Sequence, residues 1–448
     1  MRRELATQLK TTARWVNYLR SHPLLAGLVG VTVVSLLLLI PLWQELQARD
    51  IVASFSYTDF WVYYSTAGDW LAGDVIYPDL DDPFGNYLYG PIYLIPFVPF
   101  REIGTWPLVA EIWITLSISV LWLSLQALLW TYVPSLSILE RLLLAPITFI
   151  LLIGFHPVFY GMRLGQISVI LAAIVTLAVV AMERSRQGNQ VMAGISGALT
   201  AIGGTVKVFY APVGAHLLVN PIRLLGAAIT GIILVSASLL IFGVSVHLDY
   251  LQVLAWGEDW GAEPAHPSWG WIPGYYRPLY FLGQSVIPLP FLDFDLPVSL
   301  LVRLAIIAGI IALSFWLFGK DADREVFAIG ILAIPLVGPQ VAVHDLAVVL
   351  PAIVLLAVIE INRDGHPWLP LAGLLLFHWQ AYATYALANA PEWVPLSNWI
   401  IHYSPWLQPA LFANGLLLGL AVYRALEYRP PDWFINLEEF VREISNNR

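Results

Sequence analysis

The first residue with an evident chemical use is an aspartate set among aromatic side chains beside a long apolar run. The stretch Tyr57-Thr58-Asp59-Phe60-Trp61-Val62-Tyr63-Tyr64, followed by Ala67, Trp70 and Leu71 at helical spacing, predicts a short amphipathic helix with its aromatic face at the membrane surface. Asp59 then has two readings. In one, Thr58 or Asp59 caps the helix through a side-chain oxygen. In the other, Asp59 is a general base that takes the proton of a sugar hydroxyl as its oxygen attacks an anomeric carbon. Asp69 and Asp74 compete for that role in the same segment. Asp79, Asp81 and Asp82 read as a solvated acidic turn.

Other polar groups stand out against apolar surroundings. His344-Asp345 follows Gly338-Pro339-Gln340 at the predicted outer end of a helix. Ionisable groups left unpaired in lipid cost a few kcal/mol, so the two serve either a site or the backbone groups of a helix junction. Arg163, three residues before Gln166, and Arg277 in Gly274-Tyr275-Tyr276-Arg277-Pro278 fit a phosphate, because a guanidinium never loses its charge and binds in a bidentate fork. Each fits a lipid headgroup equally. Lys207 lies in an apolar piece just after Gly203-Gly204 and needs a partner, whether it stabilises a helix break or touches a substrate. Trp256, Trp260, Trp269 and Trp271 serve either as sugar-stacking platforms or as interface anchors. There is no phosphate-binding glycine loop, zinc-ligand spacing or serine nucleophile motif. Asp59 is flanked by Thr58 and Phe60 rather than by a second acid. Catalysis without a cofactor or an obligatory metal is therefore the expectation.

The elements that position these groups are membrane helices. Of the 448 residues 58% are hydrophobic and 12% charged, against roughly 25% charged in soluble domains. Runs such as 24–43 and 298–318 have the length of about 20 residues that crosses a hydrocarbon core. An all-α, polytopic transmembrane bundle is expected, forming one integral domain over 1–448. Without cysteine the chain has neither a disulfide framework nor a thiolate metal site. A net charge of -9 argues against nucleic acid, which wants clustered Lys and Arg. Arg2, Arg3, Lys10, Arg14 and Arg20 precede the first span, and Arg424 and Arg429 follow the last, so both termini are expected in the cytoplasm.

An even number of crossings follows. The first half offers 24–43, 88–104, 107–131, 141–156, 166–182, 191–203 and 205–219. With 88–104, broken by prolines, at the interface and 191–219 split into two short helices at Gly203-Gly204, six remain. The second half adds 224–246, 298–318, 326–342, 345–360, 367–388 and 406–423, about 12 crossings in all. Two long external loops result, 44–90 and 247–297.

Asp59 is followed in order by Leu71-Ala72-Gly73-Asp74-Val75-Ile76-Tyr77, by Tyr89-Gly90-Pro91 opening a proline-rich run, and by Leu164-Gly165-Gln166. Ala193-Gly194, leading to Lys207 and Pro212, completes the set. Over residues 24–350 this order resembles the C-type-fold glycosyltransferases that use polyprenyl phosphate sugars, and among them glycosyltransferase family 87. The resemblance implies an inverting transferase with Asp59 as catalytic base. It implies a polyprenyl or dolichyl phosphate donor, most commonly of mannose, and a glycolipid or other glycoconjugate acceptor at the external face of the plasma membrane. Related proteins carry a histidine near the donor, which points to His344 for the donor phosphate beside Arg163 and Arg277. Gln166, Lys207, Asp345, Asp74 and Tyr89 are further candidates. Two rival classes stay open: a transporter of a lipid or small solute, which also builds sites at broken helices, and a lipid-linked glycan polymerase or ligase, which needs no acid in the first loop. The expected topology is open to single-cysteine labelling in this cysteine-free chain. Ala265→Cys should label from outside only, and labelling solely from the cytoplasm contradicts it.

Overall fold

The computed structural model describes residues 57–78, 87–259, 275–276, 286–289, 294–338, 341–388 and 408–428, with part of 21–33. Its helices in chain order are α1 (Thr58–Ala72), α2 (Trp106–Tyr132), α3 (Ile138–Gly154), α4 (His156–Leu164), α5 (Ser168–Arg186) and α6 (Gln190–Val206). After these come α7 (Pro221–Asp259), α8 (Val298–Trp316), α9 (Asp323–Leu332), α10 (Val349–Asn362), α11 (Trp368–Ala388) and α12 (Pro409–Leu426). Two ribbons of two strands complete it: β1 (Tyr275–Tyr276) with β4 (Val341–Ala342), and β2 (Val286–Leu289) with β3 (Phe294–Pro297). The protein is an all-α integral membrane bundle. Among the described residues six helices are long and apolar enough to cross a membrane, or seven if the pair α3 and α4, bent by 71°, is one span.

Local chemistry explains the ends and bends. Ser137 and Glu140 form a capping box at the start of α3, and the Asn189 side chain accepts from Met192 N–H at the start of α6, satisfying amide donors that have no partner within the helix. Pro157 lacks an N–H, so the chain bends where α3 meets α4. α6 and α7 approach closely because a Cβ on Gly197 would lie 1.9 Å from the Arg223 carbonyl oxygen, and one on Gly226 would lie 2.2 Å from that of Gly194. Small residues of this kind let helices pack where lipid gives no hydrophobic drive to association.

One end of the bundle is tied by ion pairs. Arg324 holds Glu183 with two bonds of 2.7 and 2.6 Å, and Arg424 holds Glu360 at 2.6 and 2.8 Å. Arg363 reaches Glu325 at 2.6 Å, Arg186 reaches Asp321 at 2.8 Å and Asp323 at 3.2 Å, and Arg223 also pairs with Asp323. The Arg324 guanidinium lies over the Tyr132 ring, which adds the end of α2 to the same layer. Arg186, Arg223, Arg324, Arg363 and Arg424 thus share one end of the bundle.

Four expectations need correction. The helix runs through Gly203-Gly204 and breaks at Lys207, whose φ is -128° and ψ 108°. In a membrane interior keeping the backbone hydrogen bonds outweighs the roughly 1 kcal/mol disfavour of a helical glycine. Residues 247–259 are not loop: α7 continues to Asp259, bending at Gly243, and Tyr250 on its extension stacks with Tyr77 of the first loop. Neither Thr58 nor Asp59 is the N-cap of α1; Tyr57 holds that position without a side-chain cap bond. The aromatic face of α1 turns inward, with Phe60, Tyr63 and Tyr64 buried and Trp61 left exposed. The proline-broken stretch 88–104, not counted among the crossings, needs no correction: it forms a 3-10 turn, Pro91–Phe97, and the four-residue helix Phe100–Ile103.

Glu183→Ala should lower the thermal midpoint in detergent by several degrees, because it removes a carboxylate that is only 5% exposed and strands the charge of Arg324 that it held, a loss of about 3 kcal/mol. Asp321, 79% exposed, is the control. Asp321→Ala should change stability by less than about 1 kcal/mol.

Candidate functional site

The first loop is locked onto α4 and α5 by backbone and ring contacts. Tyr57 takes up a left-handed conformation, φ 44° and ψ 25°, and its N–H donates to the Arg163 carbonyl at 3.2 Å. Gly165 ends α4 at φ +70°, and a Cβ there would lie 2.6 Å from Phe60 Cβ. Glycine is required both for that turn and for that approach. The Gly165 carbonyl accepts from Trp113 Nε1 at 2.9 Å. Phe60 stacks on Trp106 and Trp113 with centroids 5.6 and 5.7 Å away. These contacts set Asp59, in the first turn of α1, against Gln166, which follows α4.

Gln166 Nε2 donates to Asp59 Oδ2 at 2.6 Å. The hydroxyls of Tyr63 and Tyr89 lie 3.1 and 3.2 Å from Gln166 Oε1, and 3.0 Å from each other. Burial pushes the Asp59 carboxyl above the ordinary carboxylate range; the Gln166 hydrogen bond and the Lys207 charge pull it partly back, and Asp345 pushes it up. The residue is half-buried.

Immediately behind this layer lies a buried ion pair. Lys207 Nζ donates to Asp345 Oδ1 at 2.6 Å and to Ser168 Oγ at 3.0 Å. Ser168 donates to the same carboxylate oxygen at 2.6 Å, and the Ala342 N–H donates to Asp345 Oδ2 at 3.1 Å. The ammonium also lies 5.4 Å from the centre of the Tyr89 ring, so Tyr89 touches both layers. His344 is buried beside the pair, its Nε2 3.6 Å from Asp345 Oδ1, and its ring stacks on Tyr160 at 6.1 Å. The β1 to β4 ribbon, with Tyr275 opposite Ala342 and Tyr276 opposite Val341, brings the second long loop to the residues that precede His344.

The fold therefore gathers Asp59, Gln166, Tyr89, Lys207, Asp345 and His344. Arg163 lies half-buried at the end of α4, where its charge is felt by Tyr160. Asp74 does not join them. It is exposed beyond the other end of α1, about 20 Å along the helix axis at 1.5 Å per residue. Arg277, Trp260, Trp269 and Trp271 lie outside the described residues, as does the side chain of Trp256. Lys207 has the partner its burial demands, and Asp345 serves a backbone group at a helix junction as well as the lysine.

Sequence reasoning missed Tyr63, Ser168 and Tyr160. Tyr63 stands four residues after Asp59, on the same helix face, and that spacing could have found it. Ser168 and Tyr160 carry no such local signal. Among the described residues no three His, Asp or Glu side chains gather as metal ligands.

The family model described as glycosyltransferase family 87 matches residues 87–339. No curated protein and no solved structure matches the chain. The match takes in Tyr89, Arg163, Gln166 and Lys207 and stops short of Asp59 and of His344-Asp345, which the tertiary contacts bring to it. Because the matched stretch covers more than half of the 448 residues, the chain, a bundle of membrane helices with this site at one end, belongs to glycosyltransferase family 87.

Proposed function

We propose that this membrane glycosyltransferase moves a hexose, with mannose the favoured sugar, from a polyprenyl or dolichyl phosphate to a glycolipid or other glycoconjugate acceptor, with inversion and without an obligatory metal. The observation that carries the reading is the Asp59 carboxylate, half-buried at a helix start and held by Gln166 above a buried polar layer. In the reaction Asp59 takes the acceptor hydroxyl proton as that oxygen bonds to the anomeric carbon. The bond from that carbon to the phosphate oxygen breaks, and the phosphate leaves with the electron pair. Arg163, His344 and Arg277 are the groups assigned to the leaving phosphate. Lys207 is assigned a supporting role, because its charge is matched by Asp345 at 2.6 Å.

The side of action follows from charge. The arginine-rich end reads as cytoplasmic by the positive-inside rule, and the Asp59 site, at the opposite end, then faces outside the plasma membrane. A transporter reading is less favoured: the lysine at the helix break is closed into a contact with Asp345 and Ser168 rather than turned to a passing solute.

Asp59→Asn keeps the shape of the side chain but accepts no proton, so turnover should fall by roughly 10²- to 10⁴-fold with donor binding and thermal midpoint retained. Asp74→Asn should stay near normal, and full activity of both variants sinks the reading. His344→Ala and Arg277→Ala should each weaken donor use while the protein still folds; unchanged donor affinity and turnover in both would remove the phosphate assignment.

The reactive form is the ionised carboxylate, so the rate should be lost as pH falls through the raised Asp59 pKa. The acid limb of the kcat profile should therefore lie above the usual carboxylate value of about 4. A limb at or below that value contradicts the role.

A further inference from the structure

Gln166 is the side chain through which the interior reaches Asp59. It is 7% exposed, and its backbone is fixed, because its N–H donates to the Gly161 carbonyl at 2.8 Å just after the left-handed Gly165. An ionised carboxylate only accepts hydrogen bonds. The NH2 half of the amide must therefore face Asp59 Oδ2, 2.6 Å away, and the carbonyl half must face the two tyrosine hydroxyls. Those hydroxyls are themselves held. The Tyr89 carbonyl accepts from Tyr77 at 2.5 Å, the Tyr89 ring carries Lys207, and the Tyr63 ring packs on Phe97 at 4.7 Å. A turned amide would set its NH2 against the tyrosines and its oxygen against a carboxylate oxygen, which is repulsive.

We infer that Gln166, oriented by Tyr63 and Tyr89, is the positioning residue for the general base: it fixes the plane of the Asp59 carboxylate towards the acceptor hydroxyl. This rests on the proposed role of Asp59. Gln166 does not meet the reacting atoms; it acts through Asp59. The hydrogen bond also favours the charged form of Asp59. The other groups felt by Asp59 are Lys207, which favours that form, Asp345, which opposes it, and the Thr58 side chain. Asp59 is in turn felt by Tyr63, Tyr89 and Tyr160. The effect of Gln166 is therefore read in a pH profile, which a merely structural residue would leave in place.

The test uses the full-length protein, polyprenyl phosphate mannose as donor and a native lipid extract as acceptor. Gln166→Leu should lower kcat on the order of 10- to 100-fold, the size expected for one lost bond to a charged group, with the donor KM within about twofold. The acid limb should move up by about one pH unit. Gln166→Glu keeps the shape and the acceptor for the tyrosines but sets a second carboxyl against Asp59, so the limb should move up further. Should Gln166→Leu fail to fold, Gln166→Glu and the double variant Tyr63→Phe with Tyr89→Phe decide, the latter expected to lose roughly 3- to 10-fold. If Asp59→Asn abolishes turnover while the Gln166 variants leave both kcat and the limb unmoved, the positioning role alone is overturned. If Asp59→Asn itself keeps near-normal turnover, the base assignment fails, whatever Gln166 does.

Discussion

The contact between Lys207 and Asp345 is the interaction on which the rest of the site depends. An ammonium and a carboxylate, each buried to within a few per cent, persist among apolar helices only when paired and hydrogen-bonded on their remaining valences. Here Ser168, the Ala342 amide and the Tyr89 ring meet those needs. In meeting them they bring together the end of α6, the start of α5, the junction before α10 and the first loop. The breaks at Lys207 and before α10 are tolerated at this depth because they face one another inside protein rather than lipid.

The two ends of the bundle use charge differently. At one end arginines and carboxylates pair across α5, α7, α9, α10 and α12, with Arg324 and Arg424 each gripping its glutamate through two nitrogens. That end is a rigid base. At the other end the ion pair of Lys207 and Asp345 lies among Tyr89, Tyr210 and His344, and the half-buried acid Asp59 rests on a neutral amide. A carboxylate locked by a guanidinium would be a poor proton acceptor. A carboxylate oriented by an amide, with burial raising its pKa, keeps its basicity.

Membership of glycosyltransferase family 87 rests on residues 87–339, and the structure adds what lies on either side of that stretch. Asp59 comes to it from the first loop, through Phe60 seated against Gly165 and Trp113. His344 and Asp345 come from the segment after it, through Ser168 and Lys207. A site built from three separated pieces of chain depends on helix packing to assemble it, and the close seams at Gly197 and Gly226 show how little slack that packing has.

The sequence by itself determined that the chain is a bundle of apolar helices, that Asp59 starts a short helix in the first loop and that Lys207 needs a partner. Each of these follows from local quantities: hydrophobic length, helical spacing and the cost of a buried charge. Tertiary structure alone decided that Gln166 meets Asp59 across 107 residues and that the partner of Lys207 is Asp345, 138 residues on. It also decided that the α6 break falls at Lys207 rather than at the paired glycines, and that the aromatic face of α1 turns into the protein. Glycine propensity and an amphipathic pattern state what a segment tolerates alone. Which residue bends, and which face is covered, is set by the groups that other helices present to it, because inside a membrane an unmet polar group costs more than a strained or glycine-containing turn.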